Sequence, residues 1–191
     1  MPAPSEQHEF LQRLVDLLED VGIPYMVTGS LSSSFHGRPR ATRDVDVVIA
    51  PAESDFRAFL ERAGAEYYVS AEAAWAAFRG RGMFNVIDAQ AGWKADLRVR
   101  QERPFSLTEF NRRRKAAILE IDLWVTSPED AVLSKLEWAK ETASGQQIQD
   151  ALGILLVQRD RLDEGYLKEW AVALGVSDTL ADLLERASGQ E

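Results

Sequence analysis

Tyr25-Met26-Val27-Thr28-Gly29-Ser30 and, after a gap of thirteen residues, Asp44-Val45-Asp46-Val47-Val48-Ile49 decide how this chain reads. The first stretch is a short apolar strand ending in Gly-Ser. A strand that turns through Gly-Ser into a helix aims backbone N–H groups at an anion, and Gly29 lets a phosphate approach closely. The Ser30 hydroxyl can donate to a phosphate oxygen. In the second stretch polar and apolar residues alternate, so Asp44 and Asp46 project from one face of a strand while Val45 and Val47 point into a core. Two adjacent carboxylates repel unless a cation or a proton lies between them. Oxygen donors of this kind suit Mg²⁺ or Mn²⁺. Asp96, in Lys94-Ala95-Asp96-Leu97-Arg98, is a third strand acid. Three carboxylates on neighbouring strands can hold two metals, the arrangement used for in-line displacement at phosphorus.

Outward from these stretches, Phe10, Leu11, Leu14, Val15, Leu18 and Val21 follow the spacing of an amphipathic helix over 6–21, with Ser5 as its cap and Gly22 as its stop. Leu31 to His36 is expected to be a short helix, and His36 either structural or in contact with a nucleotide. A helix over 53–63 ends at Gly64, and another spans 71–79. Residues 83–88 and 93–99 read as strands around a turn, and Ser106-Leu-Thr-Glu109 as a capping box. Ala117 to Val125 alternates as one long final strand. The run Arg112 to Lys115 reads as a solvated helix end, and Tyr25, Trp93 and Trp124 as core residues rather than platforms for a base. From Ser127-Pro128-Glu129-Asp130, with its cap, proline and first-turn acids, the chain turns helical over about 128–143, 146–158, 164–174 and 178–188. The expected fold class is α+β. A small mixed β-sheet with flanking helices (1–126) precedes a C-terminal helical bundle (127–191), joined by a link short enough for that bundle to form one wall of a cleft. Leu133, Leu136, Leu152, Leu155 and Leu156 have the spacing of a packed helix pair. Lys135, out of register with Leu133 and Leu136, can face that cleft while they face the core, or be a plain surface lysine.

Composition narrows the function. Of 191 residues 46% are apolar and 28% charged, enough to bury a core. The absence of Cys excludes disulfides, thiolate metal sites and a thiol nucleophile, and two His exclude a multi-imidazole zinc site. No apolar run is long enough for a membrane span and the N-terminus is acidic, so a cytoplasmic protein without membrane contact is expected. The net charge of −9 hides a polarity: residues 36–115 carry 15 Lys/Arg against 11 Asp/Glu, and the rest 7 against 20. Basic clusters at Arg38, Arg40 and Arg43, at Arg79 and Arg81, at Arg98, Arg100 and Arg103, and at 112–115 point to a nucleotide or polyanion.

Thr28-Gly29-Ser30, the gap, and Asp44-Val45-Asp46-Val47, with Asp96 as third carboxylate, resemble the DNA polymerase β-type nucleotidyltransferase superfamily. Arg38-Pro-Arg40-Ala-Thr-Arg43 before Asp44, and Ser127-Pro-Glu-Asp-Ala-Val-Leu-Ser-Lys135-Leu136, are similar to the AbiEii- and MenT-type toxin nucleotidyltransferases. The resemblance implies a nucleotidyltransferase core and an Mg²⁺-dependent transfer of an NMP from an NTP to an acceptor hydroxyl. Asp44, Asp46 and Asp96 would be its catalytic metal ligands. It gives Gly29 and Ser30 to the triphosphate tail, Lys135 and Arg38, Arg40 or Arg43 to phosphate charge, and Asp150 to completion of the pocket. This chain reads Gly145-Gln-Gln-Ile-Gln149-Asp150, without the basic residues that usually precede that Asp. The acceptor stays open between tRNA or another RNA, with an antitoxin-like partner protein, and a small molecule or protein. A non-catalytic nucleotide-binding module of the same fold is the third reading.

Overall fold

A computed structural model describes residues 6–189; Ser5, the expected first cap, lies outside them. They form two compact units, one of residues up to Thr28 with Thr42–Val125, the other of Gly29–Ala41 with Thr126 onward. Each is built around its own apolar layer.

In the first unit, α1 (Glu6–Asp20) buries Phe10, Leu11, Leu14, Val15 and Leu18 as its spacing requires. A six-stranded sheet runs in the order β3 (Met83–Asp88), β4 (Trp93–Val99), β2 (Asp44–Ile49), β1 (Tyr25–Val27), β6 (Ile121–Val125), β5 (Arg114–Ile118). The pairs β1–β6 and β2–β4 are parallel and the others antiparallel, so the sheet is mixed. Strict alternation gives it one apolar face. Val45, Val47 and Ile49 on β2, Ala95, Leu97 and Val99 on β4, and Ile121, Leu123 and Val125 on β6 are all buried. Helix α3 (Glu53–Glu66) supplies Phe56 and Phe59, and Phe56 meets Phe84 of β3 edge-on at 5.6 Å. Helix α4 (Ala71–Gly80) starts at Ser70, whose hydroxyl accepts from the Ala73 N–H, and packs on β3 and β4. The β3–β4 turn is closed by Asp88, whose Oδ1 accepts from the N–H groups of Gln90 and Ala91 at 3.0 Å, while Arg13 donates to Oδ2 at 2.5 Å. The Ala91 N–H foremost among these holds the Asp88 carboxyl below the usual carboxylate range, against the effect of burial.

Three local expectations are corrected. The long strand over 117–125 is a hairpin, with β5 and β6 joined through Leu119 and Glu120 at φ +51° and +65°. Neither residue type announces a left-handed turn, which Asn-Gly would have. Helix α5 (Pro104–Asn111) begins at Pro104, placing Ser106 inside it rather than at its cap. Gly64 does not stop α3, which continues to Glu66.

The second unit is helical. Helix α2 (Gly29–His36) packs on α6 (Pro128–Thr142) and α7 (Gly145–Gln158), while α8 (Glu164–Leu174) lies on α6 and α9 (Ser177–Ser188) on α7 and α8. Leu133, Leu136, Ala151, Leu152, Ile154 and Leu155 form its core, and Leu156 is only half-buried. Ser127 caps α6, accepting from the Asp130 N–H at 3.2 Å and donating to Asp130 Oδ2 at 2.6 Å. Tyr166 of α8 donates to the other oxygen of the fully buried Asp130 at 2.5 Å, tying α8 to α6. A Cβ on Gly37 would lie 2.8 Å from the backbone of Gly153 and Ile154, so glycine alone permits the close crossing of α2 over α7. No helix among the described residues is long and apolar enough to cross a membrane.

Candidate functional site

The polar face of the sheet in the first unit carries the acids. Asp44 and Asp46 alternate with buried Val45 and Val47, and parallel pairing makes Asp96 the register partner of Asp46 and Lys94 that of Asp44. Antiparallel pairing adds Asn85 opposite Asp96. All five side chains therefore leave the sheet on the same side. Thr28 closes the row, its N–H donating to the Asp46 carbonyl at 2.9 Å.

Asp96 is the most tightly held of these acids. Asn85 Nδ2 donates to its Oδ1 at 2.5 Å, and Lys94 Nζ donates to its Oδ2 at 3.3 Å. Lys94 Nζ also lies 3.6 Å from Asp44 Oδ1. The Asp96 bond, followed by the Coulomb fields of Asp96 and Asp44, outweighs desolvation and raises the Lys94 pKa. Among the described residues no three His, Asp or Glu side chains converge closely enough to form a metal cage. The ammonium of Lys94 is the cation that Asp44 and Asp96 share. An all-oxygen donor set that already gathers a cation fits a hard divalent ion, with Lys94 as the group that such an ion must displace.

In the second unit Gly29 opens α2 at φ +60°, a conformation that suits glycine, and Ser30 follows in its first turn. Asp150 of α7 is the centre of a polar network. Lys135 Nζ donates to its Oδ2 at 2.8 Å, Gln146 Nε2 to its Oδ1 at 2.8 Å, and Arg40 Nε to Oδ1 at 3.2 Å. Arg40 Nη2 also donates to the Ser30 hydroxyl. Burial would push the Asp150 carboxyl up, but the bonds from Lys135, Gln146 and Arg40 hold it below the ordinary range. Lys135 and Asp150 have side chains only 7% and 6% exposed. The alternative of a plain surface lysine does not hold: Lys135 sits on the buried side of α6, where Asp150 accepts its charge. The His36 Nε2–H donates to the Thr126 carbonyl at 2.7 Å, and the residue is buried. Arg38 is exposed after α2, and Arg43 is exposed in the first unit just before β2.

Lys94, Asn85, Ser33 and Gln146 are the participants that the sequence reading passed over. Two were within reach. Lys94 stands two residues before Asp96 on the same strand, hence on the same face. Counting outward from the 89–92 turn pairs Asn85 with Asp96. Ser33, whose Oγ lies 3.5 Å from Asp150 Oδ2, and Gln146 have no such signal, because their meeting at Asp150 depends on how α2 and α7 pack.

Protein-family models and curated protein sequences offer no match to this chain. Solved structures do. An antigenic nucleotidyltransferase-like protein from Paracoccidioides brasiliensis is similar with TM-score 0.58 and 15% identity, over 93% of this chain and 91% of its own. ANT(2")-Ia in complex with adenylyl-2"-tobramycin is similar with TM-score 0.61 and 12% identity, over 89% and 97%. The solution structure of the antibiotic-resistance factor ANT(2'')-Ia gives TM-score 0.58 and 11% identity, over 99% and 100%. The fold is nucleotidyltransferase-like. At these identities the likeness is one of fold, and it does not extend to a special closeness to the AbiEii and MenT types.

Proposed function

We propose that the protein is a divalent-metal-dependent nucleotidyltransferase that moves an NMP from an NTP to an acceptor hydroxyl. The observation that carries this reading is the alignment of Asp44 and Asp46 on β2 with Asp96 as register partner on β4. It stands in a fold similar to that of nucleotidyltransferase-like proteins. Mg²⁺ or Mn²⁺, held by Asp44 and Asp46 with Asp96, would supply positive charge to the reacting phosphate oxygens. Asn85 holds Oδ1 of Asp96 in place, and this carboxylate is assigned to take the acceptor proton. The acceptor oxygen bonds to the α-phosphorus as the bond to pyrophosphate breaks. Gly29 and Ser30 are assigned the triphosphate tail, and Arg38, Arg40, Arg43 and Lys135 its charge, with Asp150 orienting Arg40 and Lys135. An RNA acceptor and an antitoxin-like partner form the toxin-like version of this reading.

The test is incubation with each α-labelled NTP, Mg²⁺ or Mn²⁺, and total RNA or an aminoglycoside, comparing the wild type with Asp46→Ala. Transfer that falls to background in the variant supports the reading. Absence of transfer or self-labelling with every NTP by the folded protein overturns it. Steep loss of activity between low and physiological salt marks a polynucleotide acceptor, through counterion release, and a flat response marks a small one.

A further inference from the structure

The same sheet face carries a second group of residues, outside the carboxylate set. Val27 pairs with Val47 on one side and Val125 on the other, so Met26, Val48 and Trp124, one position along each strand, share the face of Asp46. Arg98 pairs with Val48 and extends this row across β4, and Lys115 pairs with Trp124 and extends it across β5. The row lies one step from that of Thr28, Asp46, Asp96 and Asn85, about 7 Å along the strands.

At its β6 end the guanidinium of Arg113 lies 4.3 Å from the ring centre of Phe110 and 4.9 Å from that of Trp124. Arg100 approaches Phe110 at 5.4 Å, and Lys115 approaches Trp124 at 5.4 Å. Arg113 therefore does not extend into water as the solvated end of a helix, and Trp124 is half-buried on the polar face rather than in the core. Arg100 has Glu102 at 3.2 Å. Arg113 has no carboxylate partner among the described residues: Nη1 donates to the Phe110 carbonyl at 2.7 Å, and Nε is buried without an acceptor. Burial first, and then the like charge of Arg100, lower its pKa. A partly buried cation beside a second cation, with no anion to balance it, is costly unless a ligand supplies the charge.

We infer that Arg113, with Arg100 and Lys115, binds a phosphate ester carried by the acceptor. This inference rests on the nucleotidyltransferase reading for the word acceptor, not for the anion site itself. The side of the sheet argues for the acceptor over the NTP. The triphosphate tail is assigned to Gly29 and Ser30, which continue the chain beyond Thr28 in the carboxylate row. Trp124 lies in the row of Met26, two residues back along the strands from Thr28, and its ring holds the Arg113 guanidinium at 4.9 Å. A polyamine acceptor would meet Arg98, Arg113 and Lys115 as repulsion, whereas a phosphate ester of a polynucleotide or of a small metabolite would relieve it.

Fluorescence anisotropy of an end-labelled single-stranded RNA decamer, without divalent metal, tests this in the full chain. The variants are Arg113→Met, which keeps an unbranched chain between the two rings, and Arg113→Lys, which keeps the charge. Binding at Arg113 predicts a Kd increase of about tenfold or more for Arg113→Met, partial recovery in Arg113→Lys, and a salt slope shallower by about one. If the decamer does not bind, titration with glucose 6-phosphate, followed by thermal shift, tests the small-molecule source; a shift in wild type that Arg113→Met loses supports the inference. Equal affinity and equal salt slope in wild type and Arg113→Met, at unchanged melting temperature, overturn it, as does absence of binding by both probes. If Arg113→Met melts early, Lys115→Gln, at an exposed position, replaces it with the same criteria. Asp46→Asn should bind the decamer at least as tightly as wild type. If that variant binds normally and neither protein transfers any NMP, the nucleotidyltransferase reading fails while the anion site stands.

Discussion

Lys135 and Asp150 lie 2.8 Å apart with almost no exposure, so each makes the burial of the other tolerable. Asp150→Asn leaves the buried Lys135 ammonium without its counter-charge and should cost about 3 kcal/mol, read as a lowered denaturant midpoint, whereas Lys135→Ala should cost less because Asp150 keeps Arg40 at 3.2 Å. The pH dependence follows from the depressed carboxyl of Asp150. Because its folded-state pKa lies below its unfolded one, its contribution is complete above about pH 4 and is lost as pH falls through the folded value. The stability gap between wild type and Asp150→Asn should therefore be constant near neutrality and narrow below about pH 4; a gap that persists at acid pH would contradict the ion-pair account. Lys94 is different, being 38% exposed beside Asp44 and Asp96. Solvent screening limits the cost of Lys94→Met to under about 1 kcal/mol. The same change should enlarge the metal-induced rise in melting temperature, since a divalent ion no longer has an ammonium to displace.

At the scale of elements, strand parity was the legible part. Asp44, Asp46 and Asp96 share a face because residues two apart on a strand must, and the buried valines between them fix which face that is. The final hairpin was not legible, because Leu119 and Glu120 adopt the left-handed region without the residue types that favour it. Replacing both with Asn-Gly should raise stability by about 1 kcal/mol by relieving that strain. Unchanged or reduced stability would mean that other contacts of the turn hold it in place, such as the 2.7 Å contact of His8 Nδ1 with the Leu119 carbonyl. The burial of Lys135 was not legible for a related reason. Helical periodicity places a side chain around an axis but does not say which neighbour covers it, and α7 with Asp150 is contributed from beyond the local sequence. Gly37 is the clearest case of such packing. Gly37→Ala should cost about 1–3 kcal/mol, since the new methyl would overlap the backbone of Gly153 and Ile154.

For the whole molecule, net charge was the least informative number. A balance of −9 conceals basic residues concentrated in 36–115, and some of these share the sheet face with the carboxylates. The alternation of Val45, Val47, Ala95 and Leu97 with Asp44, Asp46, Lys94 and Asp96 is what divides the sheet into an apolar face and a polar one. If that second face is built for a divalent ion, ions that bind the native acids but not the unfolded chain must stabilise the fold. Thermal melts of the wild type and Asp46→Asn, with and without millimolar Mn²⁺, test this most directly. The account predicts a metal-dependent rise in the wild-type melting temperature and none in Asp46→Asn, whose metal-free melting temperature is no lower because a like-charge repulsion has been removed. A rise of equal size in both proteins would place the metal elsewhere and contradict the assignment of Asp44, Asp46 and Asp96.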